Sequence, residues 1–174
     1  MFDTPKYFDI EELVCPHVYY KFGETAWQFL DPRQLILIDW LRVKMGPGFV
    51  NNWHELFRES AFIKYIAERM KAKQPIVEAD IPAAPKGLLD ERGLRCHLCD
   101  SVKQKTKAGI LYASPHIQGA ADDMDFQGRL AEEVRQFLIK SRNILPFPIR
   151  LEAGVNWVHM DCRETKDKVF VFNP

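Results

Sequence analysis

The order of helical and strand signals along the chain constrains its fold more than any other feature of the sequence. Helical patterns fill most of the first half, and short runs rich in β-branched and aromatic residues fill the second half. One amphipathic helix, expected from about Arg129 to Ser141, follows the first of these runs. This order indicates an α+β fold in which a small, mostly antiparallel sheet packs with helices. The strands are expected at residues 119–126, 149–152, 155–161 and 168–172.

The clearest helix is expected from Asp31 to about Met45. Asp31 is a good N-cap, Pro32 occupies the first helical position, and Gly46-Pro47 ends the helix. Apolar residues cover most of its surface, so the helix is predicted to be central and well buried. These apolar residues are Leu35, Ile36, Leu37, Ile38, Trp40, Leu41 and Val43.

Four weaker signals complete the first half. A short helix is expected within Tyr7–Val14 and ends at Pro16, and a short strand is expected at Phe49–Trp53. Apolar residues at helical spacing predict a second helix from Glu59 to about Lys73. The proline-rich segment from Gln74 to Gly87 is expected to be an extended loop or insertion.

Composition limits the function classes. The chain has 174 residues, which suits one domain, and its 47% apolar residues can bury a sizeable core. The 24 basic and 24 acidic residues cancel, which gives no electrostatic reason to expect nucleic acid or an anionic membrane as a partner. The most apolar stretch contains Asp39 and Arg42, so no membrane insertion is predicted. No signal-peptide pattern opens the sequence, and we expect a cytoplasmic protein, unless phage-type release carries it to the cell wall.

Two segments that carry histidine and aspartate, 114–123 and 156–161, provide candidate chemistry. A catalytic zinc site needs three nitrogen or oxygen ligands and one open position for water. His116, Asp123 and His159 would supply two imidazoles and a carboxylate. The chain can turn sharply at Gly119 from a loop bearing His116 into a strand bearing Asp123. His159 would come from a neighbouring strand, where Asp161 shares its face.

The first segment matches all five fixed positions of a known signature, S-x-H-x-x-G-x-A-x-D. The matching residues are Ser114, His116, Gly119, Ala121 and Asp123. In this pattern the chain resembles the LAS peptidases, which comprise zinc D-alanyl-D-alanine carboxypeptidases, L-alanyl-D-glutamate endolysins and their relatives. The hedgehog signalling domain shares their fold.

Three further segments resemble elements of the same family. Residues 157–161 resemble the aromatic-V-H-hydrophobic-D element of a branch found in phages and bacteria. Residues 92–96 resemble the S-G-Y-R element, with Arg95 on the arginine and Arg92 in place of the serine. Residues 7–13 resemble the Y-F-x-x-x-E-L opening of that branch. The stretch from about His54 to Leu89 has no counterpart and is predicted to be an insertion within a single domain spanning residues 1–174.

The resemblance implies a hedgehog/DD-peptidase-like fold and a zinc peptidase that hydrolyses amide bonds in peptidoglycan stem peptides. Zinc would activate a water for attack on the amide carbonyl. Arg95 is expected to hold a carboxylate or carbonyl of the substrate, because its donor fork suits such groups. The implied metal ligands are His116, Asp123 and His159, and the candidate substrate-binding residues are Arg95, Ser114, Gln118 and Trp157.

The sequence departs from the family at the general base. Many members carry an acidic residue three positions before the last histidine ligand, and here that position is Asn156, which accepts no proton at relevant pH. Asp161 is therefore expected to act as the base or to orient a ligand. Glu152 is a weaker candidate, because Gly154 and its neighbours leave the direction of its side chain unspecified.

Cys96 and Cys99 form a C-x-x-C pair, which is half of a zinc ribbon or a redox motif. Structural zinc needs a second pair of ligands, and only the isolated Cys15 and Cys162 remain among the cysteines. No thioredoxin-like βαβ pattern surrounds the pair. The sequence therefore favours free thiols.

Two other function classes remain open at this stage. The domain could be a catalytically weak or inactive metal-binding recognition module, which Asn156 favours. It could also be a structural phage component, with the segment from about His54 to Leu89 as its contact surface. Divalent metals other than zinc could occupy the same ligands. A monomer is the default expectation.

Overall fold

The computed structural model describes residues 4–173, so the predicted domain of residues 1–174 includes four terminal residues that lie outside the described part. Within residues 4–173 the chain forms seven α-helices, five strands and several short 3₁₀ turns. The helices are α1 (Ile10–Leu13), α2 (Pro16–Phe22), α3 (Pro32–Met45), α4 (Trp53–Leu56), α5 (Ala61–Lys71), α6 (Asp100–Lys107) and α7 (Ala131–Lys140). The strands are β1 (Gly48–Phe49), β2 (Ala121–Phe126), β3 (Ile149–Glu152), β4 (Val158–Asp161) and β5 (Val169–Phe172).

The five strands form one sheet in the order β1-β2-β4-β3-β5. Three of the four neighbouring pairs are antiparallel, and β3 with β5 is parallel. The expected α+β class with a small, mostly antiparallel sheet is therefore confirmed.

One face of the sheet lies against the main hydrophobic core. Met124, Met160, Leu151 and Ile149 have no exposed surface and belong to the same cluster of buried side chains as residues of α3 and α7. Burying a side chain of this size contributes about 1.5–3 kcal/mol, so this face anchors the sheet. Successive residues of a strand point to opposite sides, so the second face carries polar residues on β2, β4 and β3, and it carries Phe170 and Phe172 on β5.

Helix α3 begins and ends where the sequence predicts. The Asp31 side chain accepts a hydrogen bond from the Arg33 amide at 2.9 Å, and Gly46 has a positive φ of 89° at the C-terminus. The prediction of a central, well-buried helix holds for only one side of α3, however. Ile36 is 51% exposed and Val43 is 62% exposed. Only one side of α3 packs in the core, because nothing in the described chain covers the other.

The predicted strand at Phe49–Trp53 is largely wrong, because Trp53 begins α4 and only Gly48–Phe49 pair with β2. The cause is Asn51, whose side chain binds backbone groups elsewhere instead of extending a strand. Its amide donates to the Val14 carbonyl at 3.2 Å, and its carbonyl oxygen accepts from the Arg92 amide at 2.9 Å.

Two other boundaries differ from expectation. Pro16 opens α2 instead of only ending the preceding helix, which agrees with the preference of proline for the first helical turn. The strand expected at 155–161 begins only at Val158. The carbonyls of Val155 and Trp157 accept hydrogen bonds from the buried Arg135 side chain, at 2.9 Å each, instead of joining the sheet.

The sequence did not predict helix α6, which the structure forms at Asp100–Lys107.

A second, smaller hydrophobic cluster joins α5 to α2. Trp53, Phe62, Ile63 and Ile66 form its buried centre, with Tyr19 and Tyr20 packed against it. The predicted helix at Glu59–Lys73 is confirmed within a residue or two at each end, as α5. The segment from Gln74 to Gly87 forms no regular structure beyond a single 3₁₀ turn, as its prolines predict.

Candidate metal centre

The strand register aligns polar residues across the second face of the sheet, opposite the main hydrophobic core. Asp123 of β2 lies directly opposite His159 of β4. Arg150 and Leu151 of β3 lie opposite Asp161 and Met160, and continuing this antiparallel register by one residue places Glu152 opposite His159. Directly opposed residues share a face of the sheet. The sheet thus brings one histidine and two carboxylates together from three neighbouring strands.

His116 approaches this row from a 3₁₀ turn formed by Pro115–Gln118. The Ser114 hydroxyl accepts a hydrogen bond from the His116 amide at 3.3 Å and so caps the turn. Gly119 then ends it with a positive φ of 65°. A Cβ at Gly119 would lie 2.0 Å from the Phe29 carbonyl oxygen, so only glycine permits both this conformation and this close approach.

The three predicted metal ligands converge as the sequence suggested. His116 Nε2 lies 3.3 Å from His159 Nδ1 and 3.5 Å from Asp123 Oδ1. His159 Nδ1 lies 2.7 Å from the same Asp123 oxygen. All three side chains are buried, and together they could hold a metal ion. Ligand atoms at about 2.0–2.1 Å from tetrahedral zinc lie about 3.3 Å apart. The two separations that involve His116 are close to this value, and the 2.7 Å between His159 Nδ1 and Asp123 Oδ1 is shorter.

The other nitrogen of each histidine faces an acceptor. His116 Nδ1 lies 2.9 Å from the carbonyl oxygen of Gly93, and it must donate a proton there because a carbonyl only accepts. His159 Nε2 lies 3.6 Å from Asp161 Oδ2. This arrangement leaves His116 Nε2 and His159 Nδ1 as the nitrogens that face Asp123, and acceptors behind ligating histidines are typical of metal sites.

Asp123 uses its two oxygens differently. Oδ1 faces the two histidines, while Oδ2 accepts a hydrogen bond from Arg95 Nη2 at 2.9 Å. The Arg95 guanidinium also donates to the Tyr112 hydroxyl at 2.9 Å and to the Glu91 carbonyl. Three of its five N–H donors are therefore engaged, and two remain for another acceptor. The structure thus places Arg95 next to the candidate ligands and ties it to one of them.

The environment separates the pKa values of the two histidines. Burial lowers the pKa of His116, although Asp123 opposes the shift. Burial alone would also lower the pKa of His159, but the carboxylates of Asp123 and Asp161 outweigh burial and raise it to about 9. Burial would raise the pKa of Asp161, yet its bonds to His159 and Arg163 lower it to about 2. The Asp161 carboxylate therefore stays ionised beside His159 at neutral pH.

An open cleft of about 320 Å³ reaches the site from solvent. Arg95, Asp123 and Trp157 line it, together with the segment 88–92. The Trp157 indole Nε1 is buried without a hydrogen-bond partner among the described residues. Of the predicted substrate-binding residues, Arg95 and Trp157 thus lie on the cleft.

Ser114 and Gln118 are placed differently. Ser114 caps the turn that carries His116, and the Gln118 side chain is exposed. Neither is among the described residues that line the cleft. Their predicted contact with substrate therefore has no direct support in the geometry.

Glu152, the weaker of the two candidate bases in the sequence, lies close to the candidate ligands. Its Oε2 lies 3.9 Å from His159 Nδ1, on the side of the ring that faces Asp123 and His116. Asp161 faces the opposite nitrogen of that ring, and its carboxylate is fully buried and bound by Arg163. Asn156, which occupies the family's base position, is exposed. Only the register between β3 and β4 could have revealed the placement of Glu152.

Comparison of the chain with models of protein families, with curated proteins and with solved structures found no match. None of the helices within residues 4–173 combines the length and apolarity needed to cross a membrane.

Proposed function

We propose that the protein is a zinc-dependent peptidase that hydrolyses amide bonds in peptidoglycan stem peptides, on a hedgehog/DD-peptidase-like fold. One observation carries the proposal: His116 and His159 converge on Asp123, which lines an open cleft, and a further carboxylate, Glu152, lies 3.9 Å from the ligand nitrogen of His159. Three ligands with an adjoining carboxylate and access for substrate are typical of hydrolytic metal sites.

The donor set suits zinc. Two imidazole nitrogens and one carboxylate oxygen match the composition of catalytic zinc sites that keep one position for water. When bound, zinc would lower the pKa of a water molecule to about 7 and polarise the substrate carbonyl. The ligand nitrogens are already fixed by the acceptors behind them, the Gly93 carbonyl for His116 and the Asp161 carboxylate for His159.

Glu152 is the best-placed general base. Its carboxylate lies beside the ligand nitrogen of His159 and is partly open to solvent, so it can accept a proton from an attacking water and later return it to the leaving amine. Asp161 lies behind His159 and is bound by Arg163, which suits a residue that positions the imidazole. Of the two roles expected for Asp161, the geometry therefore favours the second.

Arg95 and Trp157 provide donors for the substrate. Arg95 keeps two free N–H groups at the cleft, which can bind a carboxylate or a carbonyl oxygen of a peptide. Trp157 offers an indole N–H that has no partner among the described residues and whose burial is costly until an acceptor arrives. The buried Arg135 side chain holds the Trp157 carbonyl and so fixes this part of the wall.

The proposal is tested by incubating the zinc-loaded protein with purified muropeptides that contain L-alanyl-D-glutamate and D-alanyl-D-alanine bonds, and by following the products by mass spectrometry. Glu152→Gln keeps the size of the side chain but removes the base. We expect it to retain zinc and to lose about 10²–10⁴-fold in hydrolysis rate. Glu68→Gln, on the exposed side of α5, is the matched control and should be fully active.

The outcomes separate the alternatives. Cleavage by the wild type with loss in Glu152→Gln supports a peptidase with Glu152 as base. Full activity of Glu152→Gln would refute the role of this residue. A zinc-loaded protein that cleaves none of the muropeptides would refute the peptidase and leave a metal-binding recognition module.

A further inference from the structure

Four side chains outside the candidate metal centre converge on a second point. Cys15, His17, Cys96 and Cys99 each offer one ligand atom, and these atoms all lie within 4.8 Å of one another. Cys15, Cys99 and His17 are buried, and the three cysteines form no disulfide. Free thiols were predicted because only Cys15 and Cys162 remained as further zinc ligands for Cys96 and Cys99. The structure adds His17 to Cys15 as a second possible partner.

Backbone pairing between two distant segments creates this cluster. Val14 and Leu94 form a parallel bridge, in which the Cys15 amide donates to the Leu94 carbonyl at 3.0 Å. The Leu94 amide donates in turn to the Leu13 carbonyl at 2.8 Å. A Cβ at Gly93 would lie 2.2 Å from that Leu13 oxygen, so glycine permits the close approach. The bridge places the start of α2 beside the C-x-x-C turn.

The C-x-x-C turn is shaped to present two sulfurs. The Cys99 amide donates to the Cys96 carbonyl at 3.1 Å, which closes the turn. The Leu98 amide lies 3.4 Å from Cys96 Sγ, and the Cys96 amide lies 3.3 Å from Cys99 Sγ. Backbone N–H groups that point at sulfur stabilise thiolates, the form that binds metal.

His17 supplies an independent sign of a missing partner. Its side chain is more than nine-tenths buried, yet Nδ1 has no hydrogen-bond partner among the described residues. Buried polar atoms are nearly always paired, because an unpaired one costs free energy. A metal ion at this cluster would use the imidazole and would account for its burial.

We propose that Cys15, His17, Cys96 and Cys99 form a structural zinc site. Three sulfurs and one nitrogen are a common set for tetrahedral structural zinc, with Zn–S distances of about 2.3 Å and hence sulfur separations of about 3.8 Å. The four ligand atoms already lie within 4.8 Å of one another, which is compatible with this geometry after a local adjustment of the side chains. Four protein ligands leave no open position, so this zinc fastens the fold and does no chemistry.

The proposed zinc site would also stabilise the segment that contacts the candidate metal centre of His116, Asp123 and His159. The segment that leads to Cys96 also carries the Gly93 carbonyl that binds His116 Nδ1, and Arg95, whose guanidinium binds Asp123. A zinc that ties this segment to the start of α2 would keep both contacts in place. The inference stands on the cysteine cluster alone and does not depend on the proposed peptidase activity.

The test measures metal in protein purified under reducing conditions and then exchanged with Co²⁺. We expect two metals per chain in the wild type and strong sulfur-to-cobalt charge-transfer absorption. Cys96→Ser should hold one metal and lose most of this absorption. Cys162→Ser removes a buried cysteine outside the cluster and is the matched control, which should keep both metals. His116→Ala should lose one metal and keep the absorption.

Each result decides the proposal. No charge-transfer absorption in cobalt-saturated, reduced wild type would overturn it, as would an unchanged spectrum in Cys96→Ser or a disulfide between clustered cysteines. If Cys96→Ser does not fold, the cobalt spectra of the wild type and of the milder His17→Asn variant decide whether the zinc site exists. An unaltered cobalt spectrum in His17→Asn would refute the assignment of His17 as the fourth ligand.

Discussion

Replacing Asp161 by asparagine tests how the site orients its second histidine. The Asp161 carboxylate is fully buried, lies 3.6 Å from His159 Nε2 and is bound by Arg163 Nη2 at 2.8 Å. Asn keeps the shape but removes the negative charge that favours an N–H on Nε2 and a free electron pair on Nδ1. We expect zinc at the first centre to bind more weakly while the protein stays folded.

The structure limits the size of this effect. Two unit charges 3.6 Å apart interact by about 4–5 kcal/mol at an effective dielectric constant of 20. A ligating imidazole carries only part of a unit charge, and Arg163 already neutralises much of the carboxylate. We therefore expect a loss of about 1.4–2.7 kcal/mol, equivalent to a 10–100-fold weaker zinc affinity.

The assay is a competition titration with a chromogenic zinc chelator. The His116→Ala variant, which keeps only the cysteine cluster, provides the titration to subtract. Asp31→Asn is the matched control, because the Asp31 side chain binds Arg33 across the same two-residue spacing and has no hydrogen bond to either histidine. Unchanged zinc affinity in Asp161→Asn, combined with lost hydrolysis, would refute the positioning role and identify Asp161 as the base.

Two further predictions concern stability. Gly119→Ala places a Cβ against the Phe29 carbonyl at a positive φ, so urea unfolding should show a loss of about 3 kcal/mol or more, and a loss below 1 kcal/mol would contradict the close contact. Burial raises the pKa of Glu12 from 4.5 to about 7, so the folded state retains a proton that the unfolded state releases, and wild-type stability should fall as the pH rises from about 5 to 8. Partial exposure reduces this fall to about 1–2 kcal/mol. Glu12→Gln should lack it, and parallel pH profiles of the two proteins would refute the assignment.

The residues of the candidate metal centre were predicted from local motifs that resemble a known signature. His116, Gly119 and Asp123 lie within eight residues, and a turn followed by a strand fixes their relative positions. The partner strand with His159 was expected from a short run of β-branched and aromatic residues at 155–161. The position of Glu152 beside His159 was not predictable, because it depends on the register between β3 and β4, and the irregular segment between them sets that register.

The cysteine cluster was hidden for a related reason. Cys15 and Cys96 are far apart in sequence, and only the bridge between Val14 and Leu94 brings them together. Local patterns predicted the caps of α3 well, because Asp31 and Pro32 act on their own neighbours. They failed for the outer face of α3, because exposure of Ile36 depends on which other elements reach it.

The most direct test of the central claim is elemental analysis of the purified protein beside its His116→Ala and His159→Ala variants. The account predicts that each variant holds one zinc fewer per chain than the wild type, because both imidazoles face the same Asp123 oxygen. If the cysteine cluster is also occupied, the count falls from two to one, and if it is not, from one to none. Equal zinc content in wild type and both variants would contradict the assignment of His116, Asp123 and His159 as a metal centre.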